Sequence, residues 1–362
     1  MGKWKTCDLG ELITFQRGYD LPKRKMIVGK YPVVGSNGII GWHNEYTTEA
    51  PSITIGRSGN VGKPYIYYGR SWSHNTTLFI KEYKNTDPVF IYYFLKTLDL
   101  GNYAGGSAVP TLNRNHIHSL KVSVPEAIEE QHKIGEFLRI LDDKIKENVL
   151  INKNLQLQAQ AIYTHMIIDE ADESWHQGLL SDVATITMGQ SPKGDTYNEV
   201  GTGSVFFQGR AEFGFRFPTR RLYTIDPKRM AKASDVLMSV RAPVGDLNVA
   251  YEDCCIGRGL AAIRSQDNHQ SFVLYTMLAL RDQLDVFNGE GTVFGSINRE
   301  SLNNMPIIIP PCKIIDNFES IVSPMDAAIR NNYEESCHLQ AIRDRMLPRL
   351  MSGKLDASVI DL

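Results

Sequence analysis

The chain has 362 residues, 42% of them hydrophobic and 22% charged, with a formal net charge of −2. That length allows two or three domains of ordinary globular composition, and no apolar run reaches the roughly 18–20 residues of a membrane helix. The near-neutral total argues against a nucleic-acid binder. The distribution argues otherwise for one segment: residues 1–125 carry 15 basic and 8 acidic side chains, residues 126–174 only 5 and 11, so the first block suits a face turned to phosphates.

In chain order, PSITIG (51–56), TLFIKEY (77–83) and KVSVP (121–125) are short apolar runs bounded by Gly, Pro and Asn, which predict strands. PVFIYYFLKTLDL (88–100) predicts a buried helix. Ile134, Leu138, Leu141, Ile145, Leu155, Ala159, Ile162 and Met166 then fall on one seam of alternating four- and three-residue steps. That is a heptad helix; a span of 131–168 would be roughly 57 Å long at 1.5 Å per residue. DVLMSV (235–240), AAIR (261–264) and MPIIIP (305–310) predict further strands, and SFVLYTMLALRDQL (271–284) a second buried helix. Phe318, Val322, Met325, Ile329, Leu339, Met346 and Leu350 form a second heptad seam, which Pro324 is expected to blunt and kink.

The chain repeats itself. WKTCDLGELITFQRG at 4–18 aligns with WHQGLLSDVATITMG at 175–189, placing Gly18 on Gly189. Val61-Gly62 matches Val244-Gly245, and GSAVPTLNRNHIHSLKVSVP at 106–125 lies without a gap on GTVFGSINRESLNNMPIIIP at 291–310. The predicted architecture is α+β: two mixed blocks, 1–125 and 175–310, in pseudo-twofold repeat, separated by long helical segments at 126–174 and 311–362. Each heptad seam turns polar midway, at Asn148 and Asn152 and at Asn332 and Ser336. Buried polar positions fix register, so an antiparallel coiled coil is expected in which Asn148 faces Ser336 and Asn152 faces Asn332. The same register opposes Ile145 with Leu339, Leu155 with Ile329 and Leu138 with Met346. Its weakest match is Leu141 with Arg343.

Catalytic signatures fail on spacing. GRSGNVGKP at 56–64 is one residue too long for a phosphate-binding loop and has Pro64 where a hydroxyl belongs. DPVF at 87–90 lacks the second proline of an amino-methyltransferase loop. His116 and His118 have no third ligand nearby, so they are expected on a loop or strand surface. The five cysteines show no paired spacing, which speaks against structural zinc or a disulfide framework and for a reducing cytoplasm. Cys254-Cys255 is expected to be packing. No catalytic, cofactor or metal residue is assigned.

Polar, Gly-rich loops carrying arginine remain, and Arg and Asn are the side chains that fork onto guanine, adenine and phosphate. The candidate DNA-binding set is Arg57, Ser58, Asn60, Lys63, Ser73, His74 and Asn75 in the first copy and Gln190, Arg210, Arg241 and Arg258 in the second. Arg241 is taken as the counterpart of the Arg57 loop. Ser107 and Thr292 are candidates for the DNA backbone, whereas Asn113-Arg114 and Asn298-Arg299 are expected to be structural turns.

The combination resembles a known family. VSVPEAIEEQHKIGEFLRILDDKIKENVLINKNLQLQAQAIY, DVLMSVRAPVGDLNVA followed by CIGRGLAAIR, and MLPRLMSGKLD together resemble the specificity subunit of type I restriction-modification systems. The resemblance implies a non-catalytic reader of double-stranded DNA, with the two blocks as target recognition domains, each reading half of a bipartite, asymmetric site. It implies that the helices set the spacer and seat two methyltransferase subunits, which carry the methyl donor and flip the adenine, and that restriction subunits join later. One departure is PPCKIIDNFES, where the Glu-Gln of the first helix entry is missing. Two other readings stay open: a methyltransferase or nuclease with unrecognised motifs, and a duplicated interaction module that binds no DNA.

Overall fold

The computed structural model describes residues 2–105, 110–289, 295–357 and 360. They fall into two compact units, residues 1–148 with 333–362, and residues 149–332. The division cuts both long helices, so each unit holds a block and a piece of each helix.

In the first unit, Trp4–Asp8 pairs antiparallel with Lys121–Pro125. The chain then turns through helix Leu9–Leu12, whose Glu11 carboxylate accepts from Asp8 N at 2.8 Å. A four-stranded antiparallel sheet follows in the order Ile13–Arg17, Thr77–Tyr83, Ser52–Gly56, Pro64–Tyr67. Ser52–Gly56 is buried at every residue although its isoleucines alternate with hydroxyl side chains; the Ser52 hydroxyl is satisfied inside the block by Ser71 Oγ at 2.6 Å. A three-stranded sheet, Gly38–His43, Tyr31–Gly35, Trp72–Ser73, packs into the same block. Helix Pro88–Lys96 starts where Asp87 caps Phe90 N at 2.8 Å with proline in the first turn. It buries Phe90, Ile91 and Phe94 in one core with Ile134, Leu138 and Leu350 of the long helices.

The second unit repeats this plan. His176–Leu179 pairs with Pro306–Ile309, and the four-stranded sheet runs Ala184–Met188, Leu260–Ser265, Val236–Ser239, Leu247–Val249. The parallel pair Phe206 with Cys255 stands where the first unit has Val33 with Trp72. That second sheet has five strands: Tyr197–Asn198, Leu222–Thr224, Ser204–Phe207, Cys254–Ile256, Met230–Ala231. Cys254 and Cys255 are fully buried in it, and burial pushes the Cys254 thiol up to about 12, so it packs as a neutral group.

The long helices are Ile128–Tyr163 and Cys312–Met351. Within the first unit Asn148 Nδ2 donates to Ser336 Oγ at 3.3 Å, and Arg343 donates to Asp142 Oδ1 at 2.6 Å. Within the second, Asn332 Nδ2 donates to Asn152 Oδ1 at 2.9 Å, and Tyr163 meets Phe318 edge-on. In both units rising numbers on one helix meet falling numbers on the other, so the pairing is antiparallel. Arg343 is tolerated in the seam because Asp142 receives its guanidinium. Each block is also tied to the helix that follows it by a tyrosine: Tyr93 Oη donates to Asp142 at 2.8 Å, and Tyr275 Oη to Asp326 at 2.9 Å.

The second long helix is continuous through Pro324, with packing of its apolar face offsetting one missing N–H. Two sequence expectations change. Asn113 and Asn298 are not turn residues; they are N-caps of helices Arg114–His118 and Arg299–Asn303, accepting from Asn115 N at 3.0 Å and Ser301 N at 2.8 Å. His116 and His118 therefore sit on a helix. His118 Nε2 accepts from Phe15 N at 2.9 Å, and burial, then Arg114 and Lys84, hold its pKa below the usual histidine value.

The missing Glu-Gln has a physical replacement. Gln131 is fully buried, accepting from Thr86 Oγ1 at 2.7 Å and Asp87 N at 3.0 Å and donating to Pro125 O at 2.9 Å. In the second unit Glu319 does comparable work, accepting from Ser271 N and Phe272 N at 3.1 Å each at the start of helix Gln270–Ala279.

Candidate nucleic-acid interface

The same loops converge at one edge of each unit, held by matching backbone bonds. Gly18 N donates to Thr77 O at 3.0 Å and Tyr19 N to Ser73 O at 2.8 Å; Gly189 N donates to Leu260 O and Gln190 N to Ile256 O, both at 2.9 Å. His74 N reaches Val34 O as Gly257 N reaches Phe207 O. The repeated glycine is a steric requirement: a Cβ at Gly18 would lie 2.1 Å from His74 O, and one at Gly189 2.2 Å from Gly257 O. Gly62 and Gly245 close the equivalent turns at φ of 78° and 90°.

In the first unit this edge gathers Arg57, Ser58, His74 and Asn75. Arg57 N and Ser58 N both donate to Thr76 O, and Asn75 Nδ2 donates to the Asp20 carboxylate. Asn60 and Lys63 project from the turn between the sheet's strands. Both are exposed, with Asn60 Nδ2 3.2 Å from Tyr65 Oη and Lys63 over the Tyr65 ring. His74 is half-buried against Thr76 Oγ1 at 3.0 Å, and burial lowers its pKa, so it stands neutral in the loop. Ser73 does not belong to the surface: it is fully buried and its hydroxyl bonds Thr48 Oγ1 at 2.6 Å. A serine between two aromatic-rich strand ends reads the same whether it points in or out, and here the parallel pairing with Val34 turns it inward.

In the second unit Gln190, Arg241 and Arg258 are exposed at the equivalent edge. Arg241 bridges Ser296 as Ser58 bridges Thr111. It is thus the counterpart of Ser58, and Val240 stands in the place of Arg57. Arg258 N donates to Ser191 Oγ at 3.2 Å, and Gln208 Nε2 donates to the same hydroxyl at 3.0 Å. Arg210 lies two residues beyond Gln208, ion-paired to Asp246 in a groove of about 510 Å³ that also holds Arg216 and Arg281. Ser107 and Thr292 lie outside the described residues.

Sequence reasoning missed Ser36 and Asn37 in the first unit and Ser191 and Gln208 in the second. Ser36-Asn37 is the turn of the hairpin formed by Tyr31–Gly35 and Gly38–His43, and Ser36 N donates to Thr76 Oγ1 at 3.3 Å. The Asn37-Gly38 pair between apolar runs was the available signal. Nothing local marks Ser191 or Gln208, whose bond spans two loops.

Among the described residues no helix is long and apolar enough to cross a membrane. The sequence matches the model of the type I restriction modification DNA specificity domain over residues 1–156 and again over 172–336. A Methanocaldococcus jannaschii protein described as the MjaX specificity subunit of a type I restriction enzyme is 30% identical over 330 residues, spanning 83% of this chain and 77% of that protein. The MjaIX specificity subunit of the same organism is 24% identical over 304 residues, spanning 74% of this chain and 68% of that protein. The crystal structure of the S subunit of a type I restriction-modification system from M. genitalium superposes with a TM-score of 0.72 at 16% identity, over 96% of each chain, a likeness of fold.

Proposed function

The chain belongs to the type I restriction-modification DNA specificity family, and from that premise we propose that it reads a bipartite, asymmetric DNA site, one half with each unit's loop edge. Its role is that of a DNA specificity subunit. The observation that carries the bipartite reading is the pair of edges themselves: one backbone scaffold, built twice, with different side chains at matching places. Ser58 faces one half where Arg241 faces the other, and a two-residue hairpin turn stands where the second unit has the Arg-rich segment 208–221.

Side chains assigned to reading or to phosphate contact are Arg57, Ser58, Asn60, Lys63, His74 and Asn75 in the first unit and Gln190, Arg210, Arg241 and Arg258 in the second. The long helices seat two methyltransferase subunits, which perform the methyl transfer; restriction subunits join that complex, and this chain supplies no catalytic group. It works in the cytoplasm, where its DNA is. A net charge of −2 is compatible with this role because the partner subunits share the phosphate contacts.

The test is to map methylated adenines in DNA from cells that express this chain with a type I methyltransferase subunit. Two short specific sequences separated by a fixed unspecified spacer are expected. One continuous motif contradicts the reading.

A further inference from the structure

The first unit carries an exposed apolar edge that the candidate residues leave unused. Strand Gly38–His43 is the outer strand of its sheet, and Ile39, Ile40 and Trp42 on it are 52%, 40% and 48% exposed. Val33 pairs with Gly41 and Val34 with Ile39, so Ile40 is the extra residue of a β-bulge. Bulges re-aim side chains and are common beside functional sites. The second unit covers the equivalent strand: Leu222–Thr224 is flanked in turn by Tyr197–Asn198. A bare strand edge with large apolar side chains is a liability unless something occupies it.

The surroundings identify the occupant. The hairpin tip is continuous with the DNA-reading edge, since Val34 O accepts from His74 N at 2.9 Å and Ser36 N donates to Thr76 Oγ1 at 3.3 Å. A basic turn, Lys23–Lys25, is exposed on its flank. That turn is tied to the hairpin by Ile27 N donating to His43 Nδ1 at 3.1 Å. Cations beside an apolar ribbon fit a polyanion that also offers apolar groups. The DNA major groove does so: it admits a two-stranded β-ribbon and displays the thymine 5-methyl group.

We propose that the hairpin Tyr31–His43 enters the major groove of the half-site read by the first unit. Asn37 at its tip meets base edges, Ile39 and Ile40 pack on thymine methyl groups, and Lys23, Arg24 and Lys25 lie along the flanking phosphates. This rests on the reading that the first unit binds DNA.

The experiment uses the full chain assembled with its methyltransferase subunits and a duplex carrying the mapped site. Each thymine of the half-site is replaced in turn by deoxyuridine, which removes only the methyl group. Affinity is measured for the native chain and for the Ile39→Ala/Ile40→Ala variant, with a melting curve to verify folding. At one or more thymines the native complex weakens about fourfold, and the same replacement leaves the variant unmoved. Equal uracil effects in both proteins overturn the proposal, as does a variant that loses only assembly with the methyltransferase. An Arg57→Ala/Lys63→Ala control separates the two levels. If it weakens binding while the uracil effects stay equal, the hairpin placement fails alone. If it too leaves binding unchanged, the DNA-reading assignment of this unit fails with it.

Discussion

Gln131→Leu is the substitution for which the structure gives the largest worked consequence. The side chain is fully buried and makes three bonds, to Thr86 Oγ1, Asp87 N and Pro125 O. Leucine fills the volume but leaves two donors and one acceptor in a site with no room to turn away. At about 1 kcal/mol for each bond, with an added desolvation penalty where the orphaned group cannot reach water, the loss is about 3–4 kcal/mol. For a unit of this size a loss of that order lowers Tm by roughly 2–4 °C per kcal/mol, so about 6–16 °C in total. Calorimetry resolves it, because only the transition of the unit holding residues 1–148 and 333–362 moves. The methylation motif mapped below that transition stays unchanged, since Gln131 touches no loop of the reading edge. A variant within 1 kcal/mol of the parent, or one that melts normally but changes the motif, would refute the assignment of this residue to internal bracing.

The other expectations follow the same reasoning. Asn152→Leu breaks the bonds to Asn332 and to Ile329 O and costs about 2 kcal/mol. Adding Asn332→Leu recovers most of that in denaturant melts, because an apolar pair replaces a half-broken polar one. Ser73→Ala costs about 1–2 kcal/mol by stranding buried Thr48 and leaves the methylation motif untouched, whereas Arg258→Ala leaves stability untouched and relaxes one half-site. The first unit loses stability as pH falls below about 6.5, because protonation of His118 breaks its bond from Phe15 N and its folded pKa lies below the unfolded one. The sign follows from the folded state binding fewer protons in that range. His118→Gln shows a weaker acid dependence in melts from pH 7 to pH 5.

The two heptad helices and the duplication were readable because both are periodic along the chain: side chains at four- and three-residue steps share a face whatever surrounds them. The strands were readable where β-branched side chains run together between turn residues, as in Pro306–Ile309. The reading edge was harder. Its residues come from loops up to about a hundred positions apart, joined by bonds such as Leu112 N to Arg57 O, and no window contains both partners. Ser73 suited a DNA contact by type and was buried by pairing. Arg241 fell one place from its assumed counterpart although the Val61-Gly62 match already implied Ser58. The second long helix continues through Pro324 because it is packed along its apolar face, with Val322 and Ile329 fully buried, a tertiary contribution that the sequence around a proline does not display.

The most direct test of the account replaces residues 1–125 by the corresponding block of a relative with a different methylation motif, leaving both long helices in place. Methylated adenines are then mapped genome-wide. Independent reading by two units predicts a motif in which one half-site is exchanged for the donor's and the other half-site is retained. A motif unchanged, or altered in both halves, contradicts it.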